Sequence, residues 1–286
     1  MILKRTILIT GAGGRLGSAL VNHLARTHRV VQFDLHEPAD PRQRGLGPVF
    51  VGSITQPASL EPAFEGVDAV VHCAAIPGSL KPYDEVVAVN ELGTFNVLEA
   101  AGTHSRVDLV VYISSICRYG LHEEPYDEHL PQRLPIDETH PSCPVDYYAS
   151  SKAAAEFWCE KYVQRFRKPV VIVQPPLIIK TADEPDFKAA ETPDHPHLND
   201  YIGTSDLVDG IIRALDYHPQ SGIDRFLFHA ADQRSTTPSA ELARRYYPGV
   251  PIDLEKLESC GGFGALVDCS HAYETLQWTP RFRCKR

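Results

Sequence analysis

No apolar run in the sequence approaches the ~18 residues that mark a membrane span, and Met1-Ile-Leu-Lys-Arg leads into the first strand-like segment without a signal-peptide pattern. A cytoplasmic protein is expected. The seven cysteines, at 73, 117, 143, 159, 260, 269 and 284, form no C-x-x-C pair and leave an odd one, which argues against a disulfide framework or a zinc knuckle. The thirteen histidines show no metal-ligand spacing on a helix, and His195-Pro-His197 falls in a Pro-rich loop as two exposed imidazoles, so no metal is expected. Lys and Arg nowhere gather into a stripe, and 37 acidic against 28 basic residues give a formal charge of -9, so nucleic acid is not an expected partner. Internal repeats and a Gly/Ser linker are also missing, which argues against a solenoid or a tethered second domain. The chain does have 286 residues at 43% hydrophobic content, enough for a sizeable core.

The most informative stretch is Thr6-Ile-Leu-Ile-Thr-Gly-Ala-Gly-Gly-Arg-Leu-Gly17. The run Thr6 to Thr10 reads as a buried strand. It breaks into Gly11, Gly13, Gly14 and Gly17, and helical periodicity resumes at Leu16, Leu20 and Leu24. A glycine turn at a helix start lets backbone approach a phosphate, and the free N–H groups and the dipole attract the anion. The spacing, Gly11-x-x-Gly14-x-x-Gly17, departs from G-x-G-x-x-G by one residue in the first gap, and alone it is equally compatible with an unliganded turn. Arg29 to Asp34 reads as a second strand ending in an acid. In a βαβ unit that carboxylate meets the adenosine ribose hydroxyls and repels a 2′-phosphate, which argues for NAD over NADP. Arg15, inside the turn and able to meet phosphate, is the counter-argument.

Strands are expected at Val49–Val51, over Asp68 to Ala75, over Val107 to Ser115 and at Val170–Val173, with helices between them. The alternation through residues 6 to 174 indicates a doubly wound parallel sheet, whose ligands sit at the carboxyl edge. Ala74 and Ala75, small residues at a strand end, leave room there. His72 reads as a packed strand histidine, and Asn90, inside a helical pattern from Asp84 to Ala101, as a structural side chain. Leu121 to Pro144 reads as a flap or flexible insert, and Thr181 to Asp200 as a loop over a substrate or a plain surface excursion. Thr204 to Leu215 reads as an amphipathic helix capped by Thr204 or Ser205. Arg225 to His229 reads as a strand, and helices are expected over Pro238 to Tyr246 and in the closing segment Asp268 to Pro280.

In the helix that begins at Asp146, Tyr148 and Lys152 stand four residues apart on one face. A free phenol, with a pKa of about 10, is a poor base at neutral pH, but an ammonium and a nicotinamide cation both favour the phenolate. Tyr148 can then exchange a proton with a substrate hydroxyl. Ser115, delivered to the same edge by its strand, can hold that oxygen in line for hydride transfer.

These segments, with Val89 to Ala101, Val111 to Gly120 and Pro135 to Pro141, resemble the extended short-chain dehydrogenase/reductase family, the NAD-dependent epimerases/dehydratases. The resemblance implies a Rossmann-type sheet over residues 1–174 and a small substrate-binding lobe over 175–286, with 204–230 returning to the core. It makes Ser115, Tyr148 and Lys152 the catalytic set. Coenzyme contacts would come from Gly11, Gly13, Gly14, Arg15, Leu16, Gly17, Asp34, Ser53, Ile54, Ala74, Ala75, Asn90, Tyr148, Lys152 and Pro175. Ile76, Ser115, Ile116, Cys117 and Tyr148 would face the substrate. It also implies a homodimer built on the helix around 84–101 and the Tyr-Lys helix.

Three departures stand out: Ser53 replaces an adenine-binding Asp, Gln174-Pro-Pro replaces an Arg-Pro turn, and little chain follows Lys152. The last favours a small sugar-like or polyol-like substrate over a nucleotide sugar. The expected activity is NAD-dependent interconversion of a secondary alcohol and a ketone. The alternatives are an epimerase or dehydratase with retained NAD and, in another class, a non-catalytic dinucleotide sensor.

Overall fold

A computed structural model describes residues 5–78, 81–120, 130–180 and 199–285. Residues 121–129 and 181–198, which carry part of the expected flap and nearly all of the second loop with His195 and His197, lie outside the described residues.

The valine- and isoleucine-rich runs become strands because each can be buried on both faces of a parallel sheet. In chain order these are β1 (Thr6–Thr10), β2 (Arg29–Asp34), β3 (Val49–Val51), β4 (Ala69–His72), β5 (Leu109–Ile113), β6 (Val170–Gln174), β7 (Leu177–Ile179), β8 (Tyr201–Gly203) and β9 (Ile223–Leu227). Seven of them form one sheet in the order β3-β2-β1-β4-β5-β6-β9, and every neighbouring pair is parallel. The sequence order reverses between β1 and β4, the position where a doubly wound sheet opens a crevice at its carboxyl edge.

Alternate strand residues feed two cores. Ile7, Ile9, Val71 and Val111 pack with Leu16 and Leu20 of the helix Arg15–Leu24 and with Leu207 and Ile211 of the helix Thr204–Leu215. Leu8, Val70, Val110 and Ile172 pack on the opposite side, with Val97 of the helix Thr94–Thr103 and with Ala155, Cys159 and Tyr162 of the helix Tyr147–Phe166. The result is a three-layer α/β fold of Rossmann type.

Several elements depart from their sequence expectations. The helical pattern from Asp84 is interrupted by a π-helical segment, Val87–Gly93. β4 covers only Ala69–His72, shorter than Asp68 to Ala75, and the last bond toward β1 runs from Cys73 N–H to Thr10 O at 3.1 Å. The helix Thr204–Leu215 is entered from an extended Gly203 with no side-chain cap. Thr204 instead donates its hydroxyl to Ile179 O at 2.7 Å, tying the helix to β7. β7 and β8, on either side of the loop expected over Thr181 to Asp200, pair with each other in a two-stranded parallel sheet that the sequence pattern does not indicate. β9 covers Ile223–Leu227 rather than 225–229.

Candidate active site

The glycine turn leaves no room for side chains. Gly11 has φ +69°, and a Cβ there would lie 2.7 Å from Ala74 N; one on Gly17 would lie 2.0 Å from Gly11 O. The helix that follows is entered from an extended Gly14, with no side-chain cap and no acid in its first turn. Its first N–H groups are thus available to an anion. Asp34, at the carboxyl end of β2, turns back to this corner: Gly13 N–H donates to its Oδ2 at 2.8 Å and Leu35 N–H to its Oδ1 at 2.7 Å. Arg15 points elsewhere. Its guanidinium donates to Ile178 O at 2.6 Å, bridging the turn helix to β7.

Next along the edge, the segment after β4 carries Ala74, Ala75 and Ile76, all partly buried. Asn90 holds it in place. Ile76 N–H donates to Asn90 Oδ1 at 2.7 Å, and Asn90 Nδ2 donates to Ile76 O at 3.0 Å and to Ser151 Oγ at 3.1 Å. Asn90 therefore links this segment to the Tyr-Lys helix from within the π-helical turn, and Thr94 Oγ1 satisfies its carbonyl at 2.6 Å. His72 is a packing residue, as its sequence context indicates. It bridges Thr10 Oγ1 at 2.6 Å and Thr94 Oγ1 at 3.0 Å, and burial pushes its pKa down to about 3. Ser53 bonds Thr55 Oγ1 at 2.8 Å, and Ile54 is buried with its carbonyl accepting from Asn96.

Ser115, Tyr148 and Lys152 come together at the end of β5. Ser115 caps the short turn Ile116–Tyr119, its Oγ accepting from Cys117 N–H at 3.2 Å. Pro175 O accepts from Ile116 N–H at 3.2 Å, which joins this turn to the end of β6. The Tyr-Lys helix begins where Asp146 Oδ1 accepts from Ala149 N–H at 2.7 Å. Lys152 is 3% exposed; its Nζ donates to Ile113 O at 2.8 Å and lies 5.8 Å from the Tyr148 ring centroid.

Burial dominates the electrostatics here. It pushes the Tyr148 phenol above its ordinary value, the nearby Cys117 thiol pushes the same way, and a hydrogen bond with the Ser115 hydroxyl pulls it back. Desolvation lowers Lys152 to about 8, offset in part by Cys73, Cys117, Glu156 and Cys159. Cys73, beside Lys152, is raised to about 12 by burial.

The sequence reading passed over the side chains behind this set. Glu156, one helical turn past Lys152, is 1% exposed and accepts from Ser114, Gln174 and Arg225, with Arg118 paired to it. The available signal was an acid on the Lys152 face of an alanine-rich helix.

Gly11 touches Ala74, and Cys73 lies beside Lys152, so the glycine turn and the Tyr-Lys set meet across β4 on one edge of the sheet. A doubly wound sheet with these two constellations on its carboxyl edge defines the class of extended dinucleotide-binding α/β proteins. Similarity places the chain more narrowly. The NAD dependent epimerase/dehydratase family profile matches residues 7–184, and the chain belongs to that family.

The chain is 33% identical over 184 residues to an L-arabinose 1-dehydrogenase (NAD(P)(+)) of Haloferax volcanii, an alignment covering 62% of this chain and 68% of that protein. It is 31% identical over 163 residues to an NAD-dependent glucose-6-phosphate dehydrogenase of the same organism, covering 54% of this chain and only 61% of the relative's length. The crystal structure of a short-chain dehydrogenase/reductase superfamily protein from Agrobacterium tumefaciens with bound NAD superposes with a TM-score of 0.71 at 24% identity, covering 98% of this chain and 93% of that one. That likeness is one of fold. Among the described residues, no helix is long and apolar enough to cross a membrane.

Proposed function

We propose that the chain is an NAD-dependent oxidoreductase moving a hydride between the secondary alcohol or ketone of a small sugar-like or polyol-like substrate and nicotinamide. One observation carries this reading: a desolvated Lys152 and a Ser115-bonded Tyr148 phenol share a sheet edge with the glycine turn. The residues fit a dinucleotide. Gly11 and Gly17 exclude side chains from the turn, the helix start is uncapped, and Asp34 lies against Gly13. The N–H groups of Arg15, Leu16 and Gly17 at the helix start would hold the pyrophosphate and Asp34 the adenosine ribose. Ala74, Ala75 and Pro175 would line the nicotinamide side, with Ile76, Ile116 and Cys117 toward the substrate.

When bound, NAD supplies the hydride acceptor. Ser115 orients the substrate hydroxyl and Tyr148 takes its proton. The phenol, raised by burial, reaches its basic form only with cationic charge close by, which the Lys152 ammonium provides. Sugar dehydrogenases among the similar proteins support a sugar-like substrate. The family's epimerases and dehydratases supply the second reading, in which NAD stays bound and is regenerated each cycle.

Residues 1–174 act as the coenzyme domain and 175–286 mainly as the substrate lobe; the pairing of β9 with β6 supports counting 204–230 with the core. Seven free cysteines accord with the cytoplasm. A homodimer through the two helical segments beside β4 and β5 is supported by their exposed apolar side chains, Tyr83, Leu92, Tyr147 and Phe157. Phe157→Glu is expected to shift the sedimentation coefficient from dimer to monomer.

The decisive assay follows absorbance of reduced nicotinamide with purified protein, NAD+ or NADP+, and a panel of aldoses, uronates and polyols. Stoichiometric NADH from a panel member is expected; product formation without net NADH would favour the epimerase reading, and no turnover of any kind would remove the enzyme reading.

A further inference from the structure

The buried carboxylate of Glu156 gathers every element that delivers the proposed catalytic side chains. Its Oε1 accepts from Ser114 Oγ at 2.6 Å and from Gln174 Nε2 at 2.9 Å. Its Oε2 accepts from Arg225 Nε at 3.0 Å and lies 3.1 Å from Arg118 Nη1. Ser114 immediately precedes Ser115 at the end of β5, and Arg118 lies in the turn that Ser115 caps. Gln174 is the last residue of β6, next to Pro175, and also accepts from Tyr119 Oη at 2.9 Å. Glu156 is itself on the Tyr-Lys helix, one turn beyond Lys152 on the same face.

A hydrophobic contact would hold these elements together without fixing their register. Three directed hydrogen bonds on one carboxylate, from Ser114, Gln174 and Arg225, set both distance and angle, and the ion pair with Arg118 adds charge. Arg225 is held in turn by Glu160 at 2.6 Å, so it meets the acid in a defined orientation.

We propose that Glu156 is the positioning residue of the site: it holds the Ser115 turn, the end of β6 and the Tyr-Lys helix in one register, and sets the local charge at Lys152. The inference rests on the catalytic reading above, so its test needs one readout that does not depend on turnover.

The groups facing Lys152 come from every neighbouring element: His72 and Cys73 from β4 and its end, Tyr112 from β5, Cys117 from the turn, and Tyr148, Glu156 and Cys159 from its own helix. Of these, Cys73, Cys117, Glu156 and Cys159 oppose the burial that lowers Lys152, and Glu156 is the one carboxylate among them. Removing its charge should therefore let the ammonium lose its proton at a lower pH.

The full chain saturated with NAD+ is studied as wild type, Glu156→Gln, Glu156→Asp and Ser114→Ala. The Lys152 Nζ titration is followed by NMR of 15N-lysine protein, with the resonance assigned by its loss in Lys152→Arg. Kinetics use whichever panel sugar the wild type turns over. Glu156→Gln is expected to lower the Lys152 midpoint by at least about half a pH unit and to cut kcat roughly 10- to 100-fold, with KM for NAD+ within about threefold. Glu156→Asp, which keeps the charge, should recover the midpoint. Ser114→Ala leaves no buried charge unpaired and should fold; it should reduce kcat roughly tenfold with the midpoint unmoved.

A Glu156→Gln protein that melts earlier but keeps both kcat and the Lys152 midpoint would overturn the proposal. If Glu156→Gln does not fold, an unchanged kcat in Ser114→Ala does so. If the wild type turns over no sugar, the catalytic reading falls by itself, and the NMR midpoints still decide whether Glu156 sets the charge at Lys152.

Discussion

The two ends of the sheet edge are built from different materials. At the β1 end the working groups are backbone: a left-handed Gly11, an uncapped helix start, and glycines whose role is to hold no side chain. At the β5 end they are side chains, and their protonation is set by burial: a phenol pushed up, an ammonium pushed down to about 8 and a carboxylate bound on all sides. The first end needs shape and tolerates solvent. The second buries its groups, which brings the ammonium down toward neutrality but pushes the phenol up, so the phenol depends on the cationic charge beside it. Substitutions should accordingly damage binding at the first end and chemistry at the second.

The largest effect is expected at the second end. Tyr148→Phe removes the proton acceptor and leaves the turn untouched, so kcat should fall roughly 10²- to 10⁴-fold while the NAD+ dissociation constant measured by calorimetry stays within about twofold. Surviving activity would remove the phenol from the mechanism. The mirror experiment is Gly17→Ala. Its Cβ would lie 2.0 Å from Gly11 O, so the helix must lift off the turn. A loss of about 1–3 kcal/mol in stability is expected from overpacking, with NAD+ affinity at least about tenfold weaker. A crystal structure showing an unmoved turn would contradict this account.

The difference in material also explains what the sequence could show. The glycine corner was legible because its chemistry is local: strand, turn and helix start fall within Thr6 to Gly17, and Asp34 ends the next strand. Tyr148 and Lys152 were legible through one helical turn, and Ser115 through its place at a strand end. The Glu156 cluster was not, because the Ser114–Arg118 segment, Glu156, Gln174 and Arg225 lie far apart along the chain and meet only once β5, β6 and β9 are adjacent. The π-helical turn at Val87–Gly93 escaped for another reason. One added residue per turn leaves flanking apolar periodicity intact, and the signal is Asn90 alone, whose side chain serves the Ile76 segment. β7 and β8 are three residues each, too short to carry an alternation pattern.

A pH series separates the ends in one experiment. Lys152 is depressed from 10.5 to about 8 in the folded protein. Above pH 8 its ammonium is lost and the phenolate loses its cation, so kcat should fall along an alkaline limb centred near pH 8. Stability moves the other way. Between about pH 8 and 10.5 the unfolded chain binds the extra proton, so the contribution of Lys152 rises with pH by roughly 3 kcal/mol across that window. Lys152→Met should abolish the rise, as read by urea melts at pH 7.5 and 10 against wild type. NAD+ affinity at the β1 end should be nearly flat over the same range, because the pyrophosphate is met by backbone N–H groups that do not titrate.

The smallest expected effect tests the β1 end by its carboxylate. Asp34 offers two carboxylate oxygens, each already taking one backbone N–H, from Gly13 and from Leu35. A carboxylate oxygen accepts more than one bond, so ribose hydroxyls can be added without displacing either. A 2′-phosphate there would meet like charge. Asp34→Ala should therefore raise KM for NAD+ about tenfold, the worth of one or two hydrogen bonds to a charged acceptor. It should raise the ratio of NADP+ to NAD+ use by about as much. Arg15 provides the contrast. Its guanidinium is engaged with Ile178 O rather than with the Asp34 corner, so Arg15→Ala should leave the coenzyme ratio nearly unchanged. A change in coenzyme preference from Arg15→Ala, with none from Asp34→Ala, would transfer the selectivity from the carboxylate to the guanidinium.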